Sequence, residues 1–161
     1  MPDWRDWAVR MKIAFASDHA AFDLKNGVLP YARALGHEVV DFGCATKEPC
    51  DHSDFSIPVA EAVARGEFDG AVLACGSGQG MTIGANKVDG IRATLCLTPE
   101  AARLARAHNN SNILVMAGRS LTPAEGQAIF EAWVSTPFEG GRHARRMDKI
   151  AEYERQRCAK R

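Results

Sequence analysis

The stretch Gly70-Ala71-Val72-Leu73-Ala74-Cys75-Gly76-Ser77-Gly78-Gln79-Gly80-Met81-Thr82-Ile83-Gly84-Ala85-Asn86-Lys87 decides how the chain folds. Its opening run is apolar without alternation, the pattern of a strand buried on both faces, as in a parallel sheet covered by helices. Gly76, Gly78 and Gly80 follow. Lacking side chains, they let the backbone turn tightly and bring bare amides close to a ligand. The segment from Met81 onward starts a helix, whose free N–H groups and dipole favour negative charge. Cys75 stands at the seam between strand and loop, where such donors favour a thiolate over a thiol. The combination points to chemistry on a small anionic substrate.

Working outward, apolar runs and amphipathic stretches alternate regularly. Lys12–Ser17 is expected as a strand ending in Asp18-His19, followed by a helix over residues 20–35 that Gly36 stops. Residues 37–42 form the second strand, 44–54 a polar loop, and Ser53 or Asp54 caps a helix running to Arg65. After Gly70–Cys75 come a short helix over 81–88 and a fourth strand over 91–97. Thr98-Pro99-Glu100 and Thr122-Pro123-Ala124-Glu125 are helix starts, each with a Thr cap and Pro in the first position. The first of these helices ends near His108-Asn109-Asn110, and a fifth strand covers 112–117. The second ends near Val134, and a last helix covers 142–157. Strands alternating with helices through short links imply right-handed crossovers and an α/β fold with a parallel sheet covered on both faces. Ligands of such sheets bind beyond the carboxyl ends of the strands, which here carry Asp18-His19, Gly43, Cys75-Gly76 and Gly118-Arg119.

Composition removes several classes of function. Twenty basic residues balance twenty acidic ones, so no net field gathers nucleic acid or an anionic membrane. No run approaches the ~20 apolar residues that span a bilayer. Residues 1–10 lack an apolar core and read as an extension ahead of a single domain over 11–161, not as a signal peptide. Five cysteines, an odd number with no C-x-x-C pair, suit reduced thiols in a cytoplasmic protein better than a disulfide framework.

Each motif also has a plainer reading. A Cys in an apolar strand is usually a small buried hydrophobe; the position of Cys75 immediately before the glycine loop reverses that judgement, whereas Cys96 and Cys158 stay structural. The loop is a poor dinucleotide fingerprint, because G-x-G-x-x-G would need glycine where Met81 stands and Cys96 falls where an acidic residue belongs. Ser17 or Asp18 can simply cap the first helix, and His108 can simply favour a helix C-terminus. Cys44, Cys50 and His52 match no standard zinc spacing and lack a clear fourth ligand. From Arg142 onward eight Lys/Arg stand against three Asp/Glu. Such a run is ordinarily a solvated basic helix, but Arg142 and Arg146 at i, i+4 share a face and can both donate to one phosphate dianion.

Taken together, Ser17-Asp18-His19-Ala20, Cys75-Gly76-Ser77-Gly78-Gln79-Gly80 with Ala85-Asn86-Lys87, His108-Asn109-Asn110 and Gly140-Gly141-Arg142-His143 resemble the ribose-5-phosphate isomerase B family, which includes galactose- and allose-6-phosphate isomerases. The resemblance spans about Met11 to Glu154. It implies a Rossmann-like three-layer αβα sandwich with a five-stranded parallel sheet. It also implies a homodimer, in some members paired into tetramers, with sites across the subunit interface and no metal or organic cofactor. By the same resemblance Cys75 moves a proton between C1 and C2 of an open-chain sugar phosphate, and Ser77 relays protons between O1 and O2. Amides of Gly76, Gly78 and Gly80 hold the enediolate, and His108 with Asp18 nearby opens the sugar ring. His19, Arg142 and Arg146 contact the phosphate, the arginines largely from the partner subunit, and Asp51, Asn109 and His143 lie around the substrate. Other members carry a Glu base in the loop; Met81 at the aligned position puts this chain with the thiol branch. The implied reaction is aldose–ketose isomerisation of ribose 5-phosphate. Its rivals are a hexose 6-phosphate or tetrose phosphate substrate, or a non-enzymatic nucleotide-binding regulatory module.

Overall fold

The computed structural model describes residues 10–160; most of the expected N-terminal extension lies outside the described residues. Five parallel strands, β1 (Lys12–Ser17), β2 (Glu38–Asp41), β3 (Gly70–Cys75), β4 (Ala93–Leu95) and β5 (Ile113–Ala117), form one sheet in the order β2-β1-β3-β5-β4. The helices are α1 (Phe22–Ala34), α2 (Ser53–Ala64), α3 (Gln79–Ala85), α4 (Pro99–Asn109), α5 (Pro123–Ser135) and α6 (Arg142–Ala159). The order of strands reverses between β1 and β3, and in open α/β sheets that reversal leaves a crevice beyond the carboxyl ends.

Alternation along the central strands supplies two cores. Ile13, Phe15, Val72, Leu114 and Met116 face α1, α4 and α5, where Val28, Ala102, Phe130 and Trp133 are buried. Ala14, Leu73, Cys75, Ile113 and Val115 face α2 and α3, where Val59, Ala60, Met81 and Ala85 are buried. The αβα sandwich is thus built as the pattern of β3, buried along its whole length, requires. The last helix, α6, lies outside both layers, and His143 is its one buried residue.

Three local expectations are corrected. The cap position of α2 is His52, not Ser53 or Asp54, and no side chain bonds there. The short helix begins at Gln79 rather than Met81, because Gly78 takes a φ of 77° and ends the turn two residues sooner. The chain then makes a separate 3-10 turn, His19–Ala21, before α1, and Asp18 caps it by accepting from the Ala20 N–H at 3.0 Å. The two threonine starts are as expected, and Thr122 with Glu125 completes a capping box.

Candidate active site

The carboxyl end of the sheet brings the first set of site residues together. Ser17 is in register with Ala74, and the Asp18 N–H bonds the Ala74 carbonyl at 3.1 Å, so Asp18 is level with Cys75 across the β1/β3 reversal. Asp18 is 7% exposed and Cys75 4%, so both are buried at the carboxyl end of the sheet. Beyond Cys75 the loop is tied to β5. The Gly118 N–H donates to the Cys75 carbonyl at 2.9 Å and the Arg119 N–H to the Gly76 carbonyl at 3.0 Å.

The glycines of the loop answer to specific neighbours. A Cβ at Gly78 would meet Leu95 Cδ1 at 2.4 Å and the Met116 carbonyl oxygen at 3.2 Å. One at Gly76 would stand 3.1 Å from the Arg119 guanidinium carbon, and one at Gly80 would stand 2.5 Å from His52 Nε2. Arg119 and His52 therefore lie directly on the loop. Neither was singled out as a site residue from sequence; the position of Arg119 at the end of β5 was the available signal for it. Ser77 is exposed at the tip and accepts the Gln79 N–H at 3.3 Å.

His19 stands beside this crevice in the 3-10 turn. Its Nδ1 accepts the Cys50 N–H at 3.2 Å, which leaves Nε2 as the ring's remaining polar atom. Cys50 Sγ is 3.9 Å from the same nitrogen, and burial pushes the Cys50 thiol up, with Cys44 and Asp18 adding to the rise. Behind the loop, buried Lys25 donates to Asp41 at 2.8 Å and to the Cys44 carbonyl at 2.8 Å, fixing the start of the segment that carries exposed Asp51.

The second set lies elsewhere. α4 starts beside the carboxyl end of β4 and runs back, so His108 and Asn109 arrive just before β5, near Asn112, whose carbonyl accepts the Ala71 N–H. They are at the amino end of the sheet, and six-residue β3 separates them from the Cys75 end by ~20 Å. His108 is therefore not near Asp18 within one protomer, contrary to the expected pairing. At the amino end His108 and His143 stack, with ring centroids 4.2 Å apart and planes within 5°. Glu139 Oε2 is 3.7 Å from His108 Nε2 and 3.5 Å from His143 Nε2. Arg142 Nε donates to His143 Nε2 at 3.5 Å, and both Arg142 and Arg146 are exposed on the first turns of α6. Burial, then His108 and Arg142, pull the His143 imidazole below its ordinary value.

His108, Glu139 and His143 are close enough to share a metal ion, their ligand atoms lying within 4.8 Å of one another. Parallel stacked rings aim their in-plane lone pairs side by side instead of at one point, and Arg142 already occupies His143 Nε2. The cluster suits protons and oxyanions better than a cation. Among the described residues no helix is long and apolar enough to cross a membrane.

Comparison with known proteins identifies the family. The family described as Ribose/Galactose Isomerase matches residues 13–150. Ribose-5-phosphate isomerase B of Escherichia coli strain K12 is 41% identical over 146 residues, covering 91% of this chain and 98% of the relative. The crystal structure of a ribose 5-phosphate isomerase from Thermotoga maritima superposes with a TM-score of 0.87 at 49% identity, over 89% of this chain and 99% of that one. A Mycoplasma genitalium ribose-5-phosphate isomerase B, solved with bound ribulose-5-phosphate, does so with a TM-score of 0.85 at 37% identity, over 89% and 96%. The chain belongs to the ribose/galactose isomerase family.

Proposed function

We propose that the chain interconverts D-ribose 5-phosphate and D-ribulose 5-phosphate through a cis-enediolate, with Cys75 as the base. The observation that carries this reading is a thiol at the β1/β3 reversal, level with Asp18 and followed at once by a glycine loop, in a chain of this family. The Cys75 thiolate removes the C2 proton of the open-chain aldose and returns it at C1. Charge developing on O1 and O2 falls to main-chain N–H groups of Gly76, Gly78 and Gly80, and donors fixed before the reaction need no reorganisation during it. Ser77 passes a proton between O1 and O2. His19 and the partner subunit's Arg142 and Arg146 hold the phosphate, whose binding energy positions the reacting carbons. Asp51, Asn109 and His143 surround the sugar, and His108 and Asp18 open its ring.

The same geometry supports a homodimer. Cys75 and the His108–Arg146 group occupy opposite ends of one sheet, so a site using both takes one set from each of two subunits. On this reading α6 packs on the partner. Mixing Cys75→Ala and His108→Ala subunits, each inactive alone, and allowing them to exchange restores roughly a quarter of wild-type activity, since half the dimers carry one intact site of two. No restoration would place the whole site in one subunit.

The substrate is tested by proton NMR in D2O with ribose 5-phosphate, allose 6-phosphate, galactose 6-phosphate and erythrose 4-phosphate. Deuterium entering at C2 of ribose 5-phosphate alone is the expected result. Exchange confined to a hexose or tetrose phosphate would reassign the substrate, and tight ATP binding without exchange would reassign the protein to the regulatory modules.

A further inference from the structure

We infer that Glu139 is a positioning residue for ring opening, orienting His108 to protonate the ring oxygen. The inference rests on the isomerase reading and adds a residue to it. Glu139 is the carboxylate that faces both stacked rings, and its place is fixed from the backbone, where its N–H donates to the Ala107 carbonyl at 3.0 Å. Side by side at 4.2 Å, the two imidazoles strongly disfavour carrying a charge each.

The surroundings decide which ring is free to act. His143 Nε2 already accepts from Arg142 Nε, which makes His143 the neutral member, and its side chain is 8% exposed. Its depressed affinity for a proton, caused by burial and then by His108 and Arg142, agrees. Glu139 Oε2 then lies 3.7 Å from His108 Nε2, on a side chain 37% exposed and open to a ligand. The other charged groups facing this pair are Glu100 and Arg103 from α4, already bonded to each other, and Arg146 from α6. Paired Glu100–Arg103 contributes little net field, so the Glu139 carboxylate is the main anionic neighbour of His108.

The step balances without a further reactant. In the furanose the C1–O4 bond breaks and its electron pair goes to O4. O4 takes the proton from His108, and the C1 hydroxyl proton passes to the Asp18 carboxylate of the partner subunit, leaving the aldehyde at C1. His108 ends neutral and Asp18 protonated, and water carries that proton back to His108.

Glu139→Gln keeps shape and hydrogen bonding but removes charge. Its turnover of ribose 5-phosphate is expected to fall about 10- to 100-fold, through loss of the opposite charge close to His108. Solvent-deuterium exchange at C1 of ribulose 5-phosphate reports the Cys75 step alone, because that ketose has its C5 oxygen esterified and closes no furanose. In the variant this exchange stays close to the wild-type rate. Glu139→Ala, at a side chain 51% exposed, gives the same split with the thermal midpoint retained. Equal loss of turnover and exchange, or loss of neither, would overturn the inference. Wild-type protein that shows neither activity would overturn the isomerase reading and this inference with it.

Discussion

The two ends of the sheet are built by different means. At the carboxyl end the candidate site is mostly backbone: Gly76, Gly78 and Gly80, held by Leu95, the Met116 carbonyl and bonds from Gly118 to Cys75 and from Arg119 to Gly76. At the amino end it is side chains on helix ends and a short linker, His108, Glu139, Arg142, His143 and Arg146, carried partly by a helix with one buried residue. The first is set by the folding of a single subunit. The second holds charge in place but borrows little from the core, so its residues can change without unfolding the protein.

The largest expected effect separates chemistry from binding. Cys75→Ala lowers turnover by about 100- to 10,000-fold, the usual worth of a positioned base, while affinity for the phosphate ester stays nearly unchanged. Turnover at the wild-type rate in that variant would remove Cys75 from the mechanism. A smaller loss is expected at the other end. Arg142→Ala with Arg146→Ala raises KM about 10- to 100-fold through lost charge-assisted bonds to phosphate and leaves the melting midpoint alone, since both side chains are exposed. A large fall in melting temperature would contradict the contrast drawn between the ends.

Stability should answer to the carboxyl-end loop instead. Gly78→Ala is expected to cost about 1–3 kcal/mol in denaturant unfolding, because φ is 77° and the new Cβ meets a backbone carbonyl as well as Leu95. The nearest atoms to a Cβ at Gly80 belong to the exposed imidazole of His52, which can swing aside, so a Gly80→Ala cost equal to that of Gly78 would refute the distinction. The smallest effect concerns pH. Burial lowers the proton affinity of His37, whose Nδ1 accepts the Met11 N–H at 3.2 Å. Its unfolded form therefore binds the proton first. The stability it contributes is complete above the unfolded value of ~6.5 and lost as pH falls below it. Melting midpoints between pH 8 and 5 should drop less steeply in His37→Leu, and an unaltered slope would clear His37 of the effect.

Sequence was most legible where burial is symmetric. β1 and β3 run over the expected residues, because an apolar run closed by Asp18 or Gly76 admits one reading. The edge strands came out shorter, Glu38–Asp41 and Ala93–Leu95 in place of 37–42 and 91–97, since each pairs on one side only. In the candidate site, the side-by-side placement of Asp18 and Cys75 was legible from strand ends. Glu139 was not: an exposed acid in a linker carries no periodic signal, and its meaning lies in its approach to His108 at the end of α4. His52 was missed for the same reason, its role being the space left by Gly80.

The outlying position of α6 has a consequence for how activity depends on amount. A helix of 18 residues that buries only His143 against its own subunit gains little from the fold of that subunit. If its other faces close on a neighbour, assembly and catalytic competence share one equilibrium. Specific activity then falls on dilution while the circular dichroism of the sheet persists, and a sugar phosphate bridging two subunits restores it by mass action.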